Sequence, residues 1–166
     1  MKQIKTLLIA TFLVVGANQI SIAQTKIAHV DTNEIISKLP AMIEAQKQIE
    51  KLSKQYDAEF KTMADEYYAK LEKYDKEAAT ITETLNAERA KEVQEMEKRI
   101  REYRDNAQKE LTKKEQELGK PLMDKIKASI AKVGKAKGFN YVLDVNSTLL
   151  AEGTDITVDV KKDLGF

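Results

Sequence analysis

The sequence predicts a mainly α protein with a small β body: a long antiparallel helical hairpin, coiled-coil-like, standing on a small α+β base. Three observations predict it. From Met42 to Val133 the apolar residues recur mostly in steps of three or four, the period of one helix face. Dense β-branched and aromatic runs occur only toward the two ends of the chain. Beyond residue 23, no apolar run approaches the roughly eighteen residues needed to cross a bilayer.

Residues 1–23 read as a targeting segment. Lys2 and Lys5 form a basic start, and Leu7, Leu8, Ile9, Phe12, Leu13, Val14 and Val15 supply an apolar stretch. Ser21 and Ala23 are the small residues of a cleavage site before Gln24. A retained membrane anchor is the competing reading; the short apolar stretch, followed by Asn18 and Gln19, favours cleavage after Ala23. No cysteine follows, so the signal is not of the lipoprotein type. The expectation is that the mature chain is exported.

The body occupies residues 24–41 and 122–166, and the arm residues 42–121. Lys26 to Asp31 reads as a short strand, and Asp31 or Thr32 can cap a short helix through Ile35, Ile36 and Leu39. Pro40 ends that helix and suits the first turn of the next. The outgoing arm then carries Ile49, Leu52, Tyr56, Phe60, Met63, Tyr67, Leu71, Tyr74, Ala78, Ile81 and Leu85 on one face. Part of this stripe repeats every eleven residues, which predicts a nearly straight or slightly right-handed arm. Forty-odd residues span roughly 60 Å at 1.5 Å per residue. Thr80, Thr82, Thr84 and Asn86 place the tip near residues 80–88.

The returning arm begins at about Ala87 and carries Val93, Met96, Ile100, Tyr103, Ala107 and Leu111. Gly119 and Pro121 interrupt the pattern and mark an arm-body hinge, because an interior proline removes a helix hydrogen bond. Beyond it, Leu122, Ile126, Ile130 and Val133 continue the stripe up to Gly138, a helix-ending residue. Phe139 to Val145 is a strand, Asn146-Ser147 a turn, and Thr148-Leu149-Leu150-Ala151 a further strand. Thr157 or Asp155 caps a last short helix through Val160 and Leu164. About three short strands are too few for an independent sheet, so a body shared between subunits is physically sensible.

Composition narrows the function classes. There are 28 basic and 27 acidic residues, no Cys, no Trp and one histidine, His29, in the 166-residue chain. Nothing resembles a nucleophile with its base, a Gly-rich phosphate loop or a metal box; no catalytic residue, cofactor or metal is expected. Removal of residues 1–23 takes away Lys2 and Lys5 and leaves 26 basic and 27 acidic residues, a formal charge of −1. Export and near-neutral charge argue against a nucleic-acid partner.

In order, Lys26-Ile27-Ala28-His29-Val30-Asp31, a long charged hairpin, Leu118-Gly119-Lys120-Pro121-Leu122-Met123-Asp124-Lys125-Ile126, Gly138-Phe139-Asn140-Tyr141-Val142-Leu143-Asp144 and Asp155-Ile156-Thr157 resemble the Skp/OmpH family of periplasmic chaperones. The resemblance covers essentially all of residues 25–166. It implies a jellyfish-shaped homotrimer whose arms enclose a cavity, acting without ATP as a holdase for unfolded outer-membrane proteins. With that architecture, Ile27, Val30, Tyr141, Val142, Leu143, Leu149 and Leu150 are expected to build the shared oligomer core. One departure stands out. Family members are clearly basic, whereas residues 41–85 here carry 7 basic and 10 acidic side chains and residues 86–137 carry 15 and 10. Contact with membrane surfaces should therefore be weak and readily screened by salt.

Tyr67, Phe60 and Met63 lie on the stripe, where an inter-arm seam competes with client binding. Tyr68 sits about 100° round the helix from Tyr67 and is the best single candidate for a client contact. The lysines from Lys120 to Lys137 suit either phosphate binding or a solvated helix face. Glu50–Lys54, Asp57–Lys61 and Glu66–Lys70 are spaced for pairing along the helix. The alternative function is an exported coiled-coil adaptor that docks a folded envelope partner through the hairpin tip.

Overall fold

The computed structural model describes residues 25–166, so the targeting segment and its cut after Ala23 lie outside the described residues. The elements in order are β1 (Ile27–Val30), α1 (Thr32–Lys38), α2 (Pro40–Glu77), α3 (Glu83–Ala136), β2 (Tyr141–Asp144), β3 (Thr154–Asp155) and α4 (Thr157–Leu164). α2 and α3 are the arms of an antiparallel hairpin, 38 and 54 residues long, or about 57 and 81 Å at 1.5 Å per residue.

Local chemistry accounts for the boundaries. Asp31 caps α1, its Oδ1 accepting the Glu34 amide at 2.9 Å. Pro40 stands in the first turn of α2, where its missing N–H would have had no intrahelical partner. At the tip, a 3-10 turn at Ala78–Thr80 is followed by Thr82, whose Oγ1 accepts the Leu85 amide at 3.3 Å and opens α3. The reversal therefore occupies residues 78–82, and the returning arm begins at Glu83 rather than near Ala87. Thr84 and Asn86 belong to the first turn of α3, because Thr82 takes the capping role. Asn86 instead ties the tip across, its Nδ2 donating to the Ala78 carbonyl at 2.9 Å.

Gly119 and Pro121 lie inside α3, which runs through both as one helix. Proline removes one backbone donor, and the long helical stretches on either side keep all of theirs, so the helix bridges the gap. Just beyond the end of α3 stands Gly138, whose φ of +76° is a left-handed conformation that glycine adopts without strain. The Phe139 amide then donates back to the Gly134 carbonyl at 2.9 Å.

The sheet has the order β2-β1-β3 and both pairings are parallel. Ile27 to Val30 align with Tyr141 to Asp144, and His29 aligns with Asp155. Thr148–Ala151 is not a strand within the single chain; the third strand is Thr154–Asp155. In this chain the Thr148 segment lies beside no strand edge, and β propensity without a partner does not make a strand.

One face of the sheet is covered. Ala28, Val30 and Val142 turn toward Ile126 and Val133 of α3, with Ile35 and Leu39 from α1 and Ile156 and Val160 closing the core. Gly134 permits the approach: a Cβ there would stand 2.8 Å from Val142 Cγ2. Polar bonds fasten the rim. The Asp31 amide donates to Thr157 Oγ1 at 2.9 Å, Thr32 Oγ1 to Asp144 at 2.5 Å, and Ser129 Oγ to Asp163 at 2.7 Å.

Candidate functional site

The arms have almost no core. Only Ala45, Met96 and Ala107 are buried along them outside the body. Phe60, Met63 and Tyr67 are half-buried on the seam between α2 and α3. Tyr68 lies off it, 67% exposed, with its ring edge-on to Tyr67 at 5.4 Å. The seam is not filled. Met63, Met96 and Ile100 line a notch of about 140 Å³, and Tyr56, Phe60, Tyr103, Ala107 and Leu111 border one of about 390 Å³. Two helices in contact along one stripe leave such gaps, since no third element covers the flanks.

Polar ties replace the missing core near the tip. Glu92 of α3 accepts from both Lys70 Nζ and Tyr74 OH of α2. Arg89 pairs with Glu77 at 2.6 Å, and its guanidinium lies 4.4 Å over the Tyr74 ring. The Lys70 ammonium and the Tyr74 hydroxyl hold the Glu92 carboxyl below its ordinary range, and Glu92 in turn pushes both partners up. Midway, Tyr103 donates to Glu59 at 2.9 Å and meets the Tyr56 ring edge-on; burial and then Glu59 raise its hydroxyl to about 12. Sequence reasoning missed this cluster. It pairs residues 12 to 44 positions apart, and only the register of the two arms brings them together.

The helix-surface pairs also differ from those expected. Lys61 turns to Asp65 at 2.5 Å rather than to Asp57, and Lys70 leaves Glu66 for Glu92. Long exposed side chains choose among several nearby carboxylates at little cost, so spacing alone does not select one.

The second notable surface is the uncovered face of the sheet. Of the seven residues expected in a shared core, Val30 is buried and Val142 packs on the core. Ile27, Tyr141, Leu143, Leu149 and Leu150 are exposed in the single chain. Ile27 and Tyr141 are register partners, as are His29 and Leu143, so these side chains share the outer face. His29 Nδ1 is buried there without a hydrogen-bond partner. Among the Lys120–Lys137 lysines, three are paired: Lys120 with Asp124, Lys132 with Asp163 and Lys137 with Asp159. Among the described residues no group of three or more His, Asp or Glu is placed to hold a metal ion, and no helix is long and apolar enough to cross a membrane.

The family model described as outer membrane protein (OmpH-like) matches residues 26–164, nearly the whole described chain. The chain belongs to the Skp/OmpH family. Chaperone protein Skp of Pectobacterium atrosepticum is 24% identical over 153 residues, covering 92% of this chain and 93% of that protein. An uncharacterized protein of Aquifex aeolicus is 31% identical over 140 residues, covering 82% and 84%. The fold matches the crystal structure of an OmpH-like outer membrane chaperone, described as putative, from Caulobacter crescentus, with a TM-score of 0.74 at 18% identity, covering 84% of this chain and 83% of that one.

Proposed function

We propose that this Skp/OmpH chain is an ATP-independent periplasmic holdase for unfolded outer-membrane proteins, working as a homotrimer whose arms enclose a client. The observation that carries the reading is the arm itself: about 57 Å of paired helix with a half-covered apolar seam and almost no buried side chain. Such an arm is soft. It can splay around clients of different size and offer many weak contacts from Tyr67, Phe60 and Met63 and from the exposed Tyr68. The exposed Ile27, Tyr141, Leu143, Leu149 and Leu150 support assembly, since a three-stranded sheet with one bare apolar face gains by being covered.

Capture would be non-covalent, and release would need no nucleotide. The client leaves when its own insertion and folding are more favourable than the bound state. Membrane contact through Lys125, Lys127 and Lys135, which have no ion pair among the described residues, would be weak and lost as salt rises. The direct test dilutes a urea-unfolded porin into buffer with the mature protein and follows turbidity. The holdase reading expects suppression at stoichiometric amounts, unchanged by adding ATP. Undiminished aggregation contradicts it.

A further inference from the structure

We propose that the larger notch on the arm seam binds one aromatic side chain of an extended client segment, with Asp57 and Arg104 at its rim bonding the client's adjoining peptide groups. The proposal rests on the holdase reading and names the client feature that the arm selects.

The notch comes from one small residue. On this part of α3 the seam carries Ile100, Tyr103, Ala107 and Leu111, and Ala107, buried at 8% exposure, is the one small side chain among the four. Opposite stand Tyr56 and Phe60 of α2, and about 390 Å³ stays open between them. That is more than ten times the ~30 Å³ share of one water molecule, room for a phenyl or an indole ring. The walls are held in place. The Tyr103 hydroxyl donates to Glu59 at 2.9 Å, and its ring stands edge-on to Tyr56 with centroids 6.1 Å apart. A third ring entering beside this pair packs edge to face, and the two tyrosines need no ordering to receive it.

The rim selects what carries the ring. Asp57 of α2 and Arg104 of α3 border the notch, both exposed and neither in an ion pair among the described residues. An ionised carboxylate only accepts hydrogen bonds, and a guanidinium only donates them. A peptide backbone needs one of each: an N–H donates to Asp57 and a C=O accepts from Arg104. An unfolded chain has these groups free on both sides of every side chain, whereas a folded one has them paired in helix or sheet. The rim therefore favours an aromatic residue on an extended, unfolded segment over a folded surface. The smaller notch repeats the plan, with Glu66 of α2 and Arg99 of α3 beside Met63, Met96 and Ile100, again without an ion pair among the described residues. Membrane-spanning β-strands alternate apolar and polar residues and carry aromatic girdles near both interfaces. An unfolded precursor of such strands offers the ring and the free backbone together.

The chain has no tryptophan, so tryptophan fluorescence reports a bound peptide alone. The probe is a soluble peptide of alternating valine and serine with one central tryptophan, titrated with the mature protein. A saturable blue shift is expected, and the same peptide with leucine in place of tryptophan should compete at least about tenfold less well. Ala107→Leu fills the notch. It should weaken the tryptophan peptide by about tenfold or more, with the mass and helical signal of the wild type retained. Arg104→Gln, on the exposed rim, keeps the test open should Ala107→Leu fail to fold; it should weaken binding by about three- to tenfold. Unchanged affinity in folded Ala107→Leu, or a leucine peptide that binds as tightly, overturns the aromatic site. Unchanged affinity in Arg104→Gln overturns the part given to the rim. A wild-type protein that suppresses porin aggregation but does not bind the tryptophan peptide overturns the notch and leaves the holdase reading standing. A wild-type protein that does neither overturns both.

Discussion

Ile126 is 1% exposed at the point where the long helix α3 meets the sheet. Ile126→Ala removes three carbons from the single core of the body and should cost about 2–5 kcal/mol, read as a lower denaturant midpoint at unchanged slope. Charged side chains around that core make it acid-sensitive. Lys161 and then Lys38 hold the Glu34 carboxyl down at about 2. Lys132 and Ser129 hold Asp163 below its ordinary range. Burial works against the Asp144 carboxylate but is outweighed by hydrogen bonds from Thr32 and Asn146, which keep it low. These groups bind fewer protons folded than unfolded. Their contribution is complete above about pH 4.5 and is lost as pH falls toward 2. Thermal melts across that window should show a falling midpoint, with a shallower fall in Glu34→Gln; a flat profile would remove these bonds from the account. Val30 was expected in a core shared between subunits, and within the single chain it is buried against Ile126 and Val133 of α3. Arg89 and Glu92 were not legible, because their partners lie across the hairpin and no local spacing reports register.

At the scale of elements, the arms were readable because a three-four period held for dozens of residues is specific to helix, and Pro40 announces the start of the first arm. Thr82 shows where reading stopped short. Several Thr and Asn residues compete for the tip, and which one caps is decided by the geometry of closure. Pro121 shows a second limit. It reads as an interruption, yet α3 passes through it, since one missing hydrogen bond does not end a helix supported on both sides. We keep residues 119–121 as the proposed hinge: a weakened turn can bend without being broken. Pro121→Ala should stabilise the helix by about 1–3 kcal/mol, read as a higher melting temperature, and should slow or narrow client capture by stiffening the arm. A variant that is more stable yet captures large and small clients as before would move the hinge elsewhere. Gly134→Ala tests the packing of α3 on β2. Its Cβ would meet Val142 at 2.8 Å, so the body should lose stability while the distal arm keeps its helical signal.

For the whole molecule, the hairpin-on-sheet architecture was visible from the change of period along the chain, and the order of weak motifs pointed to the family. The sheet's completion was not visible. Thr148–Ala151 carries strand-forming residues but finds no partner in its own chain, and Thr154–Asp155 takes the third place instead. That unpaired segment and the bare outer face make sense together if the body is finished by other copies. The central claim, a cavity formed by several arms around an unfolded client, is tested most directly by one measurement. The absolute mass of residues 24–166 is taken by light scattering, alone and after mixing with a urea-unfolded porin on dilution. The account predicts a trimer that becomes a discrete soluble trimer–porin complex. A monomer, or a trimer that stays unchanged while the porin precipitates, would contradict it.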